Sequence, residues 1–178
     1  MANTKKADTK KDTIEEVIKD TQTAPEKKLV AKDIDLNQYI TVKNGFQGKL
    51  IYISPKTGET FQWDSFGDEQ EIELRELKNA KSSAKAFFKN NWFMFDEDWV
   101  IDFLGVREFY KHAISIEDFD DIFKKSPNEL RNILKDMSDG QKRSLAYRAR
   151  VLIKDGEIDS LKVVSTIEDV LGIELIEK

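Results

Sequence analysis

The apolar pattern of this chain changes period once, near residue 74, and that change restricts the fold to one class. Upstream, short runs alternate with a period of two. Downstream, apolar residues recur with a period near 3.6 between clear helix caps. Strands gathered first and helices gathered afterwards specify an α+β protein rather than an alternating α/β one. Alternation begins weakly in residues 37–44 (NQYITVKN) and is clearest in residues 48–54 (GKLIYIS). Pro55-Lys56-Thr57-Gly58-Glu59 then supplies a turn, with Gly58 where a positive φ is wanted. Residues 60–66 (TFQWDSF) return with Phe61 and Trp63 on one side, which makes a β-hairpin. Gly67-Asp68 turns again, and Ile72 and Leu74 alternate in a short fourth strand. The expected body is a small antiparallel β-sheet, an SH3-like half-barrel being one way to arrange it.

Leu77, Ala80, Ala84, Phe87 and Phe88 then fall on one face of a helix expected over residues 75–91. A hairpin this small is marginal alone, so that face should pack on the sheet. From Trp92 onward the reading is a helical bundle. Asp96 precedes one short helix and Gly105 follows it, while Ser115 opens another. Ser126-Pro127-Asn128-Glu129 is a capping box with Pro at the first helical position, and Ser138 to Gln141 repeats the pattern. Asp159 is placed to cap the last helix, with Ile158 and Val163 as a hydrophobic staple and Gly172 as its stop. The final GIELIEK offers a short strand. The expected organisation is a charged, disordered leader over 1–33, a sheet with its helix over 34–91, and a helical domain over 92–178. In the leader, Ile14, Val17 and Ile18 could form one helical turn; the rest is too polar to offset the entropy of ordering.

Composition narrows the chemistry. The 178 residues include no Cys and one His, His112, which excludes disulfides, thiolate nucleophiles, zinc–thiolate sites and multi-His metal sites. No nucleotide-binding glycine loop, zincin or calcium-loop spacing occurs. Two acidic clusters, Asp96-Glu97-Asp98 and Glu117-Asp118 with Asp120-Asp121, sit at expected helix N-termini, where carboxylates complement the dipole. No run approaches the about 20 apolar residues of a membrane span, so the expectation is a cytoplasmic protein with no membrane partner. The composition therefore points away from an enzyme and toward a cofactor-free protein that acts by binding.

Two constellations could carry that binding. Arg143, Tyr147, Arg150 and Lys154 follow a 4, 3, 4 spacing and form one stripe on a helix, while Leu145, Ala149, Leu152 and Ile153 face elsewhere. Such a stripe is a solvated polar face, a clasp for carboxylates of a neighbouring subunit, or a grip on phosphates with Tyr147 free to stack. A net charge of -5 weighs against nucleic acid as the general partner. The second constellation is aromatic. Phe87, Phe88, Trp92, Phe93, Phe95, Trp99 and Phe103 lie close together, and Trp63 adds to them. They build a core hinge between two substructures, or leave Trp63, Trp92, Phe93, Phe95 and Trp99 as an exposed contact patch.

The phrasing GKLIYISPKTGETFQWDSFGDEQEIELRELKNAK, then FFKNNWF, then SDGQKRSLAYRAR with GEIDSLK, resembles small proteins encoded by tailed bacteriophages and prophages of Gram-positive bacteria. The resemblance spans residues 37–178 and carries no functional signature, so no catalytic residue transfers. It implies a virion-associated or assembly protein whose partners are other structural subunits, found in the host cytoplasm or the virion. A nucleic-acid-binding accessory factor using the basic stripe is the alternative.

Overall fold

The computed structural model describes residues 34–176. The expected leader over 1–33, with its helical turn, lies outside the described residues.

The strands fold as the alternation requires. β1 (Tyr39–Asn44) turns Ile40, Val42 and Asn44 inward. It is the central strand of a three-stranded sheet, between β4 (Glu69–Glu73) and β5 (Phe93–Met94), with both pairings antiparallel. β2 (Leu50–Ile53) and β3 (Thr60–Trp63) make a separate hairpin in which Leu50 faces Trp63 and Tyr52 faces Phe61. These four side chains are buried, whereas Ile51 and Ile53 point outward. The strands thus form a sheet and a hairpin, not the single sheet expected from the alternation. Polar bonds stitch the two together. The Trp63 indole N–H donates to the Val42 carbonyl at 2.8 Å, and the Gln70 amide donates to the Gln62 carbonyl at 2.9 Å.

α1 (Leu74–Ser83) lays Leu74, Leu77 and Ala80 on this body, all fully buried. The expected single helix over 75–91 is broken at Ala84, whose φ and ψ of -134° and 43° are not helical, and resumes as α2 (Lys85–Lys89). Ser82-Ser83 weakens the last turn of α1, and the Ser83 hydroxyl bonds back to the Asn79 carbonyl at 3.0 Å. The break lets Phe87 and Phe88 approach Phe93, with ring centroids 4.8 and 5.5 Å away.

Asn91, at φ 53°, then reverses the chain into β5. This two-residue strand replaces the start of the helical region expected at Trp92. α3 (Asp98–Leu104) ends on Gly105 at φ 62°, and α4 (Arg107–Tyr110) follows. Glu97, not Asp96, occupies the N-cap of α3. The buried residues fall into two clusters. The first runs from Ile40 to Tyr110, and the second from Phe119 to Leu175 with Phe66 packed against it. Phe93, Phe95, Val100, Ile101 and Leu104, which follow the expected division at 91/92, pack in the first cluster.

The second core is helical. A 3-10 turn (Asp120–Lys124) leads to α5 (Pro127–Asp136), α6 (Asp139–Lys154) and α7 (Leu161–Leu171). Ser115 caps only the short turn before residue 120, its hydroxyl accepting from the Asp118 N–H. The capping box of α5 forms in both directions between Ser126 and Glu129. At α6 only half forms: Ser138 accepts from the Gln141 N–H, but the Gln141 side chain leaves for Ile114, donating to its carbonyl at 2.7 Å and accepting from its N–H at 3.1 Å. Ser160, not Asp159, caps α7, and Gly172 at φ 64° stops it. Residues 172–176 form no strand; Leu175 instead buries itself, and its N–H donates to Glu168.

The two cores meet along the first half of α6. Gly140 lies so close to Asn90 that a Cβ would sit 2.1 Å from the Asn90 carbonyl oxygen. The Ser144 hydroxyl donates to the Gly45 carbonyl at 3.0 Å, in a buried position. Replacing Gly140 with Ala should therefore cost about 1–3 kcal/mol through overpacking against backbone. Urea denaturation measures this; an unchanged midpoint would show that the seam yields freely.

Candidate functional site

The outward face of α6 stands beside a crevice at the junction of the two cores. The crevice, about 540 Å³, is lined by Gln47, Ser65, Phe66, Glu117, Asp120, Tyr147 and Arg148, among others. Its position follows from the seam. Gln47 comes from the β1–β2 loop and Phe66 from the β3–β4 loop, while Tyr147 and Arg148 lie one turn past Ser144.

The stripe is brought together as its spacing implies. Arg143, Tyr147, Arg150 and Lys154 are all exposed, with Tyr147 at 55%. Arg150 is partly engaged, donating to the Glu174 carbonyl at 2.9 Å. Arg148, outside the stripe, forms a two-bond pair with Asp120 at 2.9 and 2.6 Å. This pair fixes the 3-10 turn against α6, and the carboxylate raises the Arg148 pKa. The Gln47 amide nitrogen is buried and has no acceptor among the described residues.

The aromatic residues do not gather on the surface. Trp63, Phe93 and Phe95 are buried, at 1%, 0% and 9%, so they are core and not a contact patch. Trp92 and Trp99 are half-buried and pack against the same cluster. Phe93 is the hub, with Tyr52, Trp63, Phe87 and Phe88 ringed around it at centroid distances of 4.8 to 5.5 Å. Edge and tilted packing of this kind adds to the area that the rings bury.

Most members of the acidic clusters hold cations, while Glu97 accepts from the Trp99 indole and Asp118 from the Ser115 hydroxyl. Asp98 and Asp102 hold Arg107, Asp121 holds Lys124, and Asp120 holds Arg148. Asp96 and Glu117, one from each cluster, converge on Lys43 at 2.8 and 2.6 Å, with Glu69 at 3.8 Å. Among the described residues no group of three or more His, Asp or Glu side chains could hold a metal ion, and no helix is long and apolar enough to cross a membrane. His112 is exposed.

Lys43 and its acids had no local signature. Lys43 occupies a half-buried position between the inward Val42 and Asn44, and its partners lie 26 to 74 residues away. Nor does the sequence reveal the buried pair in which the Tyr52 hydroxyl donates to Glu76. Burial first, and then the carboxylate, hold that hydroxyl well above the usual tyrosine range.

No protein-family model matches the chain, and no curated protein or solved structure matches it.

The Lys43 hydrogen bond lowers the pKa of Glu117, and its bonds to Asp96 and Glu117 raise that of Lys43. The Glu117 contribution is complete above the ordinary value of 4.5 and lost as pH falls through its lowered folded value. The Lys43 contribution is complete below 10.5 and lost as pH rises through its raised one. A Lys43→Met variant should lose about 1 kcal/mol at neutral pH, since the partners are solvent-exposed. Its stability should also fall less steeply than wild type between about pH 5 and 3. Thermal melts across pH test this; superimposable acid limbs would remove the linkage.

Proposed function

We propose that this chain is a non-enzymatic assembly protein that acts by protein–protein contact through the α6 stripe and the crevice beside it. The observation that carries the reading is Tyr147, exposed between Arg143 and Arg150 at the mouth of a crevice lined by charges of both signs. Tyr and Arg are the side chains that most often dominate binding energy at protein interfaces. Glu117 and Asp120 line the same crevice, paired with Lys43 and Arg148, so the crevice carries no excess positive charge to draw a phosphate chain and suits a surface of mixed charge. These features favour a protein subunit over nucleic acid at this face.

The resemblance to phage-encoded proteins gives the reading its class. The partners would be other structural subunits, met in the host cytoplasm, and the protein would be carried into the particle or act during its construction. Exposed Arg and Tyr on a capped helix suit such a role, because the backbone that carries them needs no ordering on docking.

Arg143→Ala combined with Tyr147→Ala and Arg150→Ala should weaken association with the partner subunit by about 30-fold or more, as loss of a hot spot of about 2 kcal/mol implies. Co-purification from producing cells, followed by titration of the isolated pair, measures it. Wild-type protein missing from both purified particles and assembly intermediates, or a triple variant that associates normally, ends this proposal.

A further inference from the structure

A second groove, sharing no residue with the α6 face, lies between the tip of the β2–β3 hairpin and the outer face of α1. It has a volume of about 750 Å³ and is lined by Leu36, Pro55, Asn79, Ser82 and Ser83 together with Lys56, Arg75, Lys78 and Lys81. No carboxylate lines it, although acidic residues outnumber basic ones in the chain, 34 to 29.

The concentration of charge follows from the helix. Leu74, Leu77 and Ala80 take the buried face of α1, which leaves Arg75, Lys78 and Lys81 on successive turns outside. The hairpin turn then adds Lys56 from across the groove. Among the described residues none of these four cations is ion-paired. Lys56 and Arg75 are held by neutral amides instead: the Lys56 ammonium donates to Asn79 at 3.1 Å, and the Arg75 guanidinium to Asn37 at 2.6 Å. Amide partners orient a cation without cancelling its charge. Like charges gathered in a groove oppose folding unless an anion joins them, and their field concentrates anions.

We propose that this groove binds the phosphodiester backbone of single-stranded nucleic acid without regard to sequence. Lys and Arg would contact phosphate oxygens, and the Ser82 and Ser83 hydroxyls and the Asn79 amide would add neutral donors. An adjoining hollow shares Lys56, Arg75 and Asn79 with the groove and is bordered by Tyr39, which is 63% exposed. Tyr39 gives an unpaired base a surface to stack on, which favours a single strand over a duplex and over an acidic peptide. Glu59, Glu73 and Glu76 line that hollow as well. Glu76 is buried and bonded to Tyr52, while the other two keep the phosphates on the α1 side.

Fluorescence anisotropy of a labelled oligothymidylate with the full chain provides the test. Raising salt from about 50 to about 200 mM should weaken binding about 50-fold, as expected for about four phosphates neutralised on a single strand. Arg75→Gln with Lys78→Gln should cut affinity at least tenfold at low salt and make the salt dependence shallower. Arg143→Gln with Arg150→Gln should leave it unchanged, which keeps this outcome independent of the α6 proposal. Lys78→Gln alone, at an exposed side chain with no bonded partner among the described residues, should weaken binding in the same direction even if the double variant is unstable. The inference is overturned by an absence of binding at low salt, by affinity indifferent to salt, by equal loss in the α6 variant, or by a polyglutamate that competes as well as the oligonucleotide.

Discussion

The backbone contact between Gly140 and Asn90 sets how the two cores can sit. A side chain at residue 140 would hold α6 away from the first core, and Ser144 could then no longer reach the Gly45 carbonyl. Gly45 is equally constrained, since a Cβ there would meet the Asn91 carbonyl at 2.0 Å. The seam is thus built from backbone and short polar side chains, between two clusters built from large apolar ones. Burying Leu and Phe stabilises each cluster by about 1.5–3 kcal/mol per side chain but is tolerant of orientation. Hydrogen bonds to named carbonyls tolerate less. Apolar burial holds the halves folded, and the polar seam fixes the angle at which α6 presents its outer face.

What the sequence makes legible is what local chemistry determines. The hairpin follows from alternation around Gly58, and the α5 cap follows from Ser126 and Glu129 three residues apart. The stripe on α6 follows from helical spacing. Each depends on residues within a few positions of one another. The misread features depend on distant partners. Asp96 looks like a cap, yet Lys43 takes it, and Gln141 looks like half of a capping box, yet Ile114 takes it. β5 has only two residues and exists because the end of β1 offers an edge. Helical periodicity after Trp92 likewise says nothing of which cluster a helix joins.

The aromatic run shows that density alone does not identify a surface. Its alternative readings, core and contact patch, predict the same residues in the same order. Only packing separates them, and Phe93 decides the matter because four rings close around it. With those rings inside, the large apolar side chains left exposed among the described residues (Tyr39, Ile51, Ile53, Tyr147, Leu161 and Ile176) all come from outside the aromatic run.

Charge on the exterior is unevenly spread. Around the seam, carboxylates are paired with cations: Asp96 and Glu117 share Lys43, and Asp120 takes Arg148. Local neutralisation there leaves shape and hydrogen bonding as the means of discrimination, which suits a partner of comparable chemistry. Along α1 the cations stay unneutralised and are steadied by amides. In a chain with excess acid, solubility does not call for such a patch, and folding is opposed by it. A groove of this kind differs from the α6 face in what it selects, because an unbalanced field attracts by charge before contact, whereas a balanced one discriminates only after contact is made.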